Sequence, residues 1–317
     1  MHSGKSRIAI ACTTYNHEKY IARAIESFLM QQVNEPFEIH ICDDASTDNT
    51  QAIITAYQKK YPHIIKANLL RKNLWQKGYA ISKYVLFPAI SAEYVALCEG
   101  DDYFTDPLKL QKQIDFLDKN KEYAICFHPV KVIHDNGKKT EIFPDFPDIV
   151  QRNSFTLSDL LIKNFIQTNS CMYRWRFNAV DTPQKLIPDA MLPCDHWWHL
   201  LHAEKGKIGK LDEIMSVYNR HKNGIWTMNE DNDPTWYFNN AILHINFCLE
   251  VEKKYKRVHY SELKNRLAIN LFTLSLKHER YEFIIALKKY PELIQHIIDI
   301  MKQDPNNNLQ ELITALQ

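Results

Sequence analysis

The stretch ALCEGDDYFTDP, residues 96–107, places three carboxylates, Glu99, Asp101 and Asp102, around one glycine at the end of an apolar run. Carboxylates this close repel one another unless a cation or hydrogen bonds compensate them, and a hard divalent ion does so efficiently. Mg2+ or Mn2+ held by one or two carboxylates keeps coordination positions open for substrate phosphates. The competing reading is a solvated acidic turn whose aspartates cap the next helix. Two further polar clusters also follow apolar runs, CTTYN at 12–16 and ICDDASTDNT at 41–50. Thr13 and Tyr15 offer a hydroxyl and an aromatic face, which suit a heterocyclic base and its ribose. Either Asp43 or Asp44 can cap the following helix, which leaves the other to accept the imide N–H of a uracil or a ribose hydroxyl. The first run lacks a Gly-x-Gly-x-x-Gly turn and the chain lacks a Gly-x-x-x-x-Gly-Lys-Ser/Thr P-loop, so dinucleotide enzymes and P-loop nucleotidases are disfavoured.

These clusters need elements to hold them. RIAIAC (7–12), FEIHICDD (37–44), IIKANLL (64–70) and EYVALCEG (93–100) read as strands. Helical spacing is expected over 19–32, 50–61 and 78–91, with Ile21, Ala24, Ile25, Phe28 and Leu29 on one face of the first. Alternation of this kind predicts an α/β fold, a three-layer sandwich whose mostly parallel sheet carries helices on both faces. Ligands of such sheets bind beyond the carboxyl ends of the strands. All three polar clusters lie at those ends and are expected to share one crevice. Further on, 108–120 reads as an amphipathic helix, 123–133 as one strand, 134–148 as a flexible loop, and 191–206 as a capped helix. From residue 236 the pattern is helical, with segments at 236–255, 261–278, 281–289 and 291–302.

The 317 residues are 45% hydrophobic and 24% charged with a formal net charge of +1, which is ordinary for a folded domain with a real core. Nothing in that balance points to nucleic acid or to an anionic membrane as partner. The seven cysteines form no Cys-x-x-Cys pair, and an odd count in apolar runs predicts reduced thiols in a cytoplasmic compartment. No signal peptide is expected, because the first apolar run ends in a turn too early. Every window of about 20 residues contains charges, so no membrane span is expected.

The segments IAIACTTYNHEKYIARAIESFLMQQ, FEIHICDDASTDNT and EYVALCEGDDYFTDPLKLQKQ together resemble the nucleotide-binding half of a family 2 glycosyltransferase with the GT-A fold, over roughly residues 7–120. The resemblance implies an inverting, metal-dependent transferase that takes a sugar from a nucleotide diphosphate donor, usually a UDP-sugar. It places Thr13 and Tyr15 at the base and Asp44 on its ring edge. The acidic cluster stands where the family has its Asp-x-Asp motif, with Glu99 at the first position. Asp101 and Asp102 are both carried as candidate ligands of Mg2+ or Mn2+, and Asp101 also as a nucleotide contact. Lys77 is a further candidate for the diphosphate.

An inverting transfer needs a base for the acceptor hydroxyl, and LPCDHWWHLL resembles the family segment that supplies it, with Asp195 as the carboxylate. A helix N-terminus beside Asp195 is expected to hold it ionised; the alternative is a plain N-cap. A zinc site from Cys194, His196, His199 and His202 does not match the usual ligand spacing. Trp197 and Trp198 suit a core as well as a sugar platform. In YNRHKNGIW (218–226), His221 is a candidate metal ligand or phosphate contact. Arg220 and Lys222 are candidates to neutralise the leaving group, and Trp226 and Glu99 to cover the donor sugar.

The expected organisation is a GT-A domain over 1–235, with a nucleotide half at 1–120 and an acceptor half at 121–235, followed by a helical extension at 236–317. The expected partners are the nucleotide-sugar donor and a glycan or lipid-linked acceptor, with no nucleic acid. The C-terminal helices are candidates for packing, for a homodimer, or for peripheral contact with the inner face of the cell membrane. The implied setting is bacterial surface polysaccharide or glycoprotein glycan assembly. Two rival readings are a nucleotidyltransferase, which would need a glycine-rich phosphate loop, and a non-catalytic protein that binds sugar nucleotides or glycans.

Overall fold

The computed structural model describes residues 6–134, 139–221, 224, 234–256 and 258–303. The chain divides into two compact units, Met1–Asp189 with Cys194–His221, and Ala190–Pro193 with Lys222–Gln317.

The first unit opens with β1 (Ile8–Thr14), α1 (Ile21–Leu29), β2 (Phe37–Asp43), α2 (Thr50–Lys60), β3 (Ile65–Leu69) and β4 (Tyr94–Leu97). It continues through β5 (Tyr103–Phe104), α3 (Lys109–Lys119), β6 (Tyr123–Phe127), β7 (Val130–His134), β8 (Thr140–Phe143), α4 (Pro147–Val150) and β9 (Ser154–Phe155). It closes with α5 (Leu157–Ile162), β10 (Met172–Arg174), α6 (Pro183–Leu186), α7 (Cys194–Ala203), β11 (Lys207–Lys210) and β12 (Ser216–Arg220). One sheet runs β3-β2-β1-β4-β10-β6-β11-β9, and a second runs β5-β12-β7-β8. β1 is buried along nearly its whole length, as a central parallel strand covered on both faces must be. α1 seals it from one side with Ile21, Ala24, Ile25 and Phe28, which join Ile8, Ile10, Ile39 and Ile41 in one core.

Register positions the site. β1 pairs in parallel with β2, Thr14 beside Asp43, and in parallel with β4, Ala11 beside Leu97. The chain therefore leaves β1, β2 and β4 at one edge, carrying all three polar clusters with it. The opposite end is clamped by Arg7, whose guanidinium meets Glu93 at 2.8 Å, Glu35 at 3.1 Å and Asp118 at 2.7 Å.

Three local expectations are corrected. Residues 78–91 form no α-helix: Gly78 takes a left-handed φ of 81°, and short turns follow at Ser82–Leu86 and Phe87–Ala89, the last containing Pro88. The run 123–133 is two strands in different sheets, because the chain breaks at His128-Pro129, where proline removes a ladder donor. Within the expected loop 134–148, residues Thr140–Phe143 form β8, antiparallel to β7. All seven cysteines are free thiols, six of them buried.

The second unit carries α8 (Pro234–Lys254), α9 (Ser261–Lys277), α10 (Tyr281–Leu287) and α11 (Pro291–Gln303), close to the four helical segments read from the sequence. Their apolar faces close on one another around Trp236, Ile245, Leu271, Phe272, Leu287, Ile294 and Ile298. Leu192 joins this unit by donating its N–H to Leu243 at 3.0 Å. Among the described residues no helix is long and apolar enough to cross a membrane.

Candidate active site

The site grows from the end of β1. Thr13 C=O accepts the Gly100 N–H at 2.9 Å, and Thr14 C=O accepts the Asp44 N–H at 3.0 Å, which tie the three loops together. Gly100 packs so tightly here that a Cβ would stand 2.5 Å from Thr14 Oγ1. Thr14 Oγ1 in turn lies 3.2 Å from His17 Nδ1, and the His17 N–H donates to Thr50 Oγ1 at 2.9 Å. The ring is thereby oriented with Nε2 3.6 Å from Asp101 Oδ2. From the other side comes His221, immediately after β12, its Nε2 2.9 Å from the same oxygen. Tyr20 stacks on the His221 ring with centroids 4.7 Å apart. His17, Asp101 and His221 thus offer ligand atoms that all lie within 4.8 Å of one another, and among the described residues they are the group able to hold a metal ion.

The donor set fits a divalent ion: one carboxylate and two imidazoles, all half-buried or buried. Burial alone would raise the Asp101 carboxyl, but its interactions with the His17 and His221 rings outweigh it and hold it below the ordinary carboxylate range. Burial lowers His17 in spite of Asp101, favouring the neutral imidazole that ligates metals.

The structure separates the two aspartates between which the sequence leaves the choice open. Asp102 is 1% exposed and stands outside the cluster. Its Oδ2 accepts from Asn169 Nδ2 at 3.0 Å and its Oδ1 from the Asn219 N–H at 2.8 Å. Asn169 also donates to Val217 C=O at 2.8 Å, so Asp102 braces β12 and with it the approach of His221. Burial, with the charges of Asp101 and Glu99, pushes Asp102 well above the ordinary range. Neither His17 nor Asn169 was singled out from sequence. His17 sits in the turn with Tyr15, directly after the strand end that carries Thr13, and that nearness is the signal that could have found it.

Of the candidate nucleotide contacts, Thr13 is half-buried and Tyr15 is exposed. Asn16, with a φ of 55°, accepts the Thr47 N–H at 2.8 Å and joins the first cluster to the second. Asp43 accepts from the Ser46 N–H at 2.9 Å and from Gln51 Nε2 at 2.5 Å. Asp44 accepts the N–H groups of Leu74 and Trp75 at 2.7 and 3.0 Å and so shapes the turn Trp75–Lys77. Burial raises its carboxyl against the lowering effect of these bonds. Lys77 lies exposed on that turn.

Asp195 occupies the first turn of α7, half-buried, with Thr168 Oγ1 3.5 Å away. Burial raises it, against the backbone N–H groups and Thr168 that stabilise its charge. Desolvation is the larger effect, and it makes the carboxylate a stronger base. Glu99 is pushed up to about 8 by burial and then by the charges of Asp101 and Asp195, so it senses both carboxylates.

The α7 histidines are committed to protein partners: His196 to Leu160 C=O at 2.9 Å, His199 to Tyr173 OH at 2.6 Å, His202 to Trp198 C=O at 2.8 Å. Trp197 and Trp198 are core, the first donating to Leu186 C=O at 3.0 Å and the second edge-on to Phe87. Arg220 ends β12, opposite His134 in the parallel ladder. Lys222 and Trp226 lie outside the described residues.

In comparisons with known proteins, residues 9–181 match the family described as Glycosyl transferase family 2. An uncharacterized protein of Mycobacterium tuberculosis is 43% identical over 219 residues, covering 69% of this chain but 60% of that relative. Staphylococcus aureus TarS 1–349, solved in complex with UDP-GlcNAc, superposes with a TM-score of 0.57 at 18% identity, over 98% of this chain and 83% of the other. The mannosyltransferase PcManGT from Pyrobaculum calidifontis, solved with GDP-Man and Mn2+, gives a TM-score of 0.55 at 13% identity, over 99% and 85%. Identities this low speak to the fold, which is that of the GT-A glycosyltransferases. Because the family match runs over more than half of its residues, this chain belongs to glycosyl transferase family 2.

Proposed function

We propose that the chain is an inverting glycosyltransferase that moves a sugar from a nucleotide diphosphate donor, a UDP-sugar, to a hydroxyl of a glycan or lipid-linked acceptor in bacterial surface glycan assembly. The observation that carries this reading is Glu99, half-buried at the strand end. With Thr13 and Thr168 it lines one small cavity; Asp101 of the metal-type cluster follows two residues on, and Thr168 Oγ1 stands 3.5 Å from Asp195 Oδ2. A candidate metal seat and a candidate base therefore flank one small region, as a displacement on a bound sugar requires. The UDP-GlcNAc and the GDP-Man with Mn2+ held by proteins of the same fold support a nucleotide-sugar donor and a divalent ion here too.

In this reading Asp101 and His221 hold Mg2+ or Mn2+, which when bound acts as a Lewis acid on the diphosphate. Thr13 and Tyr15 border the base. Asp44 shapes the neighbouring turn that carries Lys77, and Asp44 and Lys77 are assigned to the base edge and the diphosphate. Glu99 and Arg220 are assigned to the donor sugar and its leaving group, and Trp226, outside the described residues, is assigned there from sequence alone. Asp195 accepts the proton of the acceptor hydroxyl as that oxygen attacks the anomeric carbon, and its raised basicity suits the task. Asp102 supports the site from behind. The work is cytoplasmic, at the inner face of the membrane where lipid-linked acceptors would be met.

Incubation with UDP-sugars, Mn2+ and candidate acceptors is expected to release UDP. Release of pyrophosphate would instead mark a nucleotidyltransferase, and donor binding without turnover a binding protein. Asp195→Asn is expected to lower turnover on the order of 10²- to 10⁴-fold while sparing donor affinity. Near-normal turnover in that variant would remove Asp195 from the base role.

A further inference from the structure

The metal seat proposed above needs only Asp101 and His221, yet the structure brings a third donor to it from a different element. His17 belongs to the turn after β1, whereas Asp101 follows β4 and His221 follows β12. Their ligand atoms converge within 4.8 Å. Atoms bound to a common ion at about 2.0–2.2 Å lie roughly 3–4 Å apart, so little movement separates this arrangement from a coordinated one.

The surroundings of His17 are those of an oriented ligand. Metal-binding histidines have their second ring nitrogen fixed by a neighbouring polar group, which sets ring orientation and tautomer. Here Nδ1 has Thr14 Oγ1 at 3.2 Å, Thr14 is buried, and Gly100 holds Thr14 in place by leaving no room for a side chain. The backbone on the far side is pinned as well, the His17 N–H to Thr50 Oγ1 at 2.9 Å and the Glu18 N–H to Asp48 Oδ2 at 3.1 Å. His221 is 2% exposed and backed by Tyr20. Both imidazoles therefore present Nε2 to Asp101 from fixed directions.

Resting on the reading that Asp101 and His221 hold a divalent ion, we propose that His17 is a third protein ligand. The seat is then a two-imidazole, one-carboxylate site that selects a nitrogen-accepting transition ion such as Mn2+ over Mg2+. Imidazole suits transition ions, whereas Mg2+ favours oxygen donors in near-ideal octahedral geometry and gives up its waters reluctantly. Three protein ligands leave the remaining positions of a six-coordinate ion for diphosphate oxygens and water. His17 shares with Tyr15 the turn that follows Thr13 at the end of β1, so loading the ion would also order the strand end assigned to the base.

Metal binding itself tests this, with no turnover required. Free Mn2+ is counted by electron paramagnetic resonance during titration of the full chain, with and without UDP, and Mg2+ is added as competitor. Pulsed resonance on the bound Mn2+ counts directly coordinated nitrogens. The wild type is expected to show two nitrogens and to prefer Mn2+. His17→Asn keeps a polar atom near the Nδ1 position and deletes Nε2. It is expected to show one nitrogen, to bind Mn2+ roughly 10- to 100-fold more weakly, and to leave Mg2+ binding within about threefold. One nitrogen in the wild type, equal affinity for the two ions, or unchanged Mn2+ affinity in His17→Asn would each overturn the proposal. The wild-type nitrogen count decides even if the variant misfolds. Asp101→Asn and His221→Asn separate the two levels: if neither weakens Mn2+ binding, the metal seat itself is wrong. If both do and His17→Asn does not, the third ligand alone is wrong.

Discussion

Asp101 and Asp102 are neighbours in sequence with the same side chain, and their surroundings give them different work. Asp101 points at two imidazoles, His17 and His221, and keeps its charge. Asp102 points inward to two protein donors, Asn169 Nδ2 and the Asn219 N–H. Asp102→Asn would set its own amide N–H groups against the Asn169 donor and leave a buried pair unmatched. We expect it to cost about 1–3 kcal/mol of stability, while Mn2+ affinity changes far less than in Asp101→Asn. Chemical denaturation and Mn2+ titration of the two variants side by side check this. A collapse of metal affinity in Asp102→Asn with unchanged stability would reverse the two roles.

Among the elements, α3 shows how tertiary packing overrides a local pattern. Lys109 sits in its first turn and is fully buried, with Nζ 2.8 Å from Gln113 Oε1 and 4.1 Å from the centre of the Phe104 ring. Burial pulls its pKa down to about 8, against the smaller raising effect of Cys171, Cys98 and Cys126. The unfolded chain, with an ordinary lysine near 10.5, binds a proton there that the folded chain releases. Stability therefore rises with pH between about 8 and 10.5, by an amount on the order of 1–3 kcal/mol from this group. Lys109→Met is expected to raise stability near pH 7 and to flatten that rise. Urea denaturation of wild type and variant at pH 7 and pH 10 measures the difference. A variant less stable than wild type at pH 7 would show that the Gln113 bond and the ring contact outweigh desolvation.

For the whole molecule, the candidate site and the four-helix unit have separate cores, one built on β1, β2 and β4 and the other on Trp236, Leu271 and Ile298. A ligand that binds only the folded site stabilises what it touches, by about 2.7 kcal/mol at a hundredfold excess over its dissociation constant. Mn2+ with UDP is expected to slow hydrogen exchange in peptides covering residues 13–20 and 99–102 and to leave residues 261–303 unchanged, and EDTA is expected to reverse the effect. Protection confined to the helical unit would relocate the nucleotide site.

Local sequence carries the four strands and the first two helices of the first third, the three polar clusters at strand ends, and the helical character beyond residue 236, but not the segment 78–91. Those are local matters: β-branched runs such as IAIAC, a helical stripe such as Ile21, Ala24, Ile25 and Phe28, and turn residues such as DDASTDN each carry their signal within a short window. It also offered Asp101 and Asp102 without choosing between them. Only the tertiary structure brought His17, Asp101 and His221 together, because that contact joins positions more than 80 residues apart through sheet register and through the parallel pairing of β12 with β7. It likewise turned Asp102 inward, split the run 123–133 between two sheets, and buried Lys109. In each case what decides is which neighbours a side chain meets across the fold, and no short window of sequence contains them.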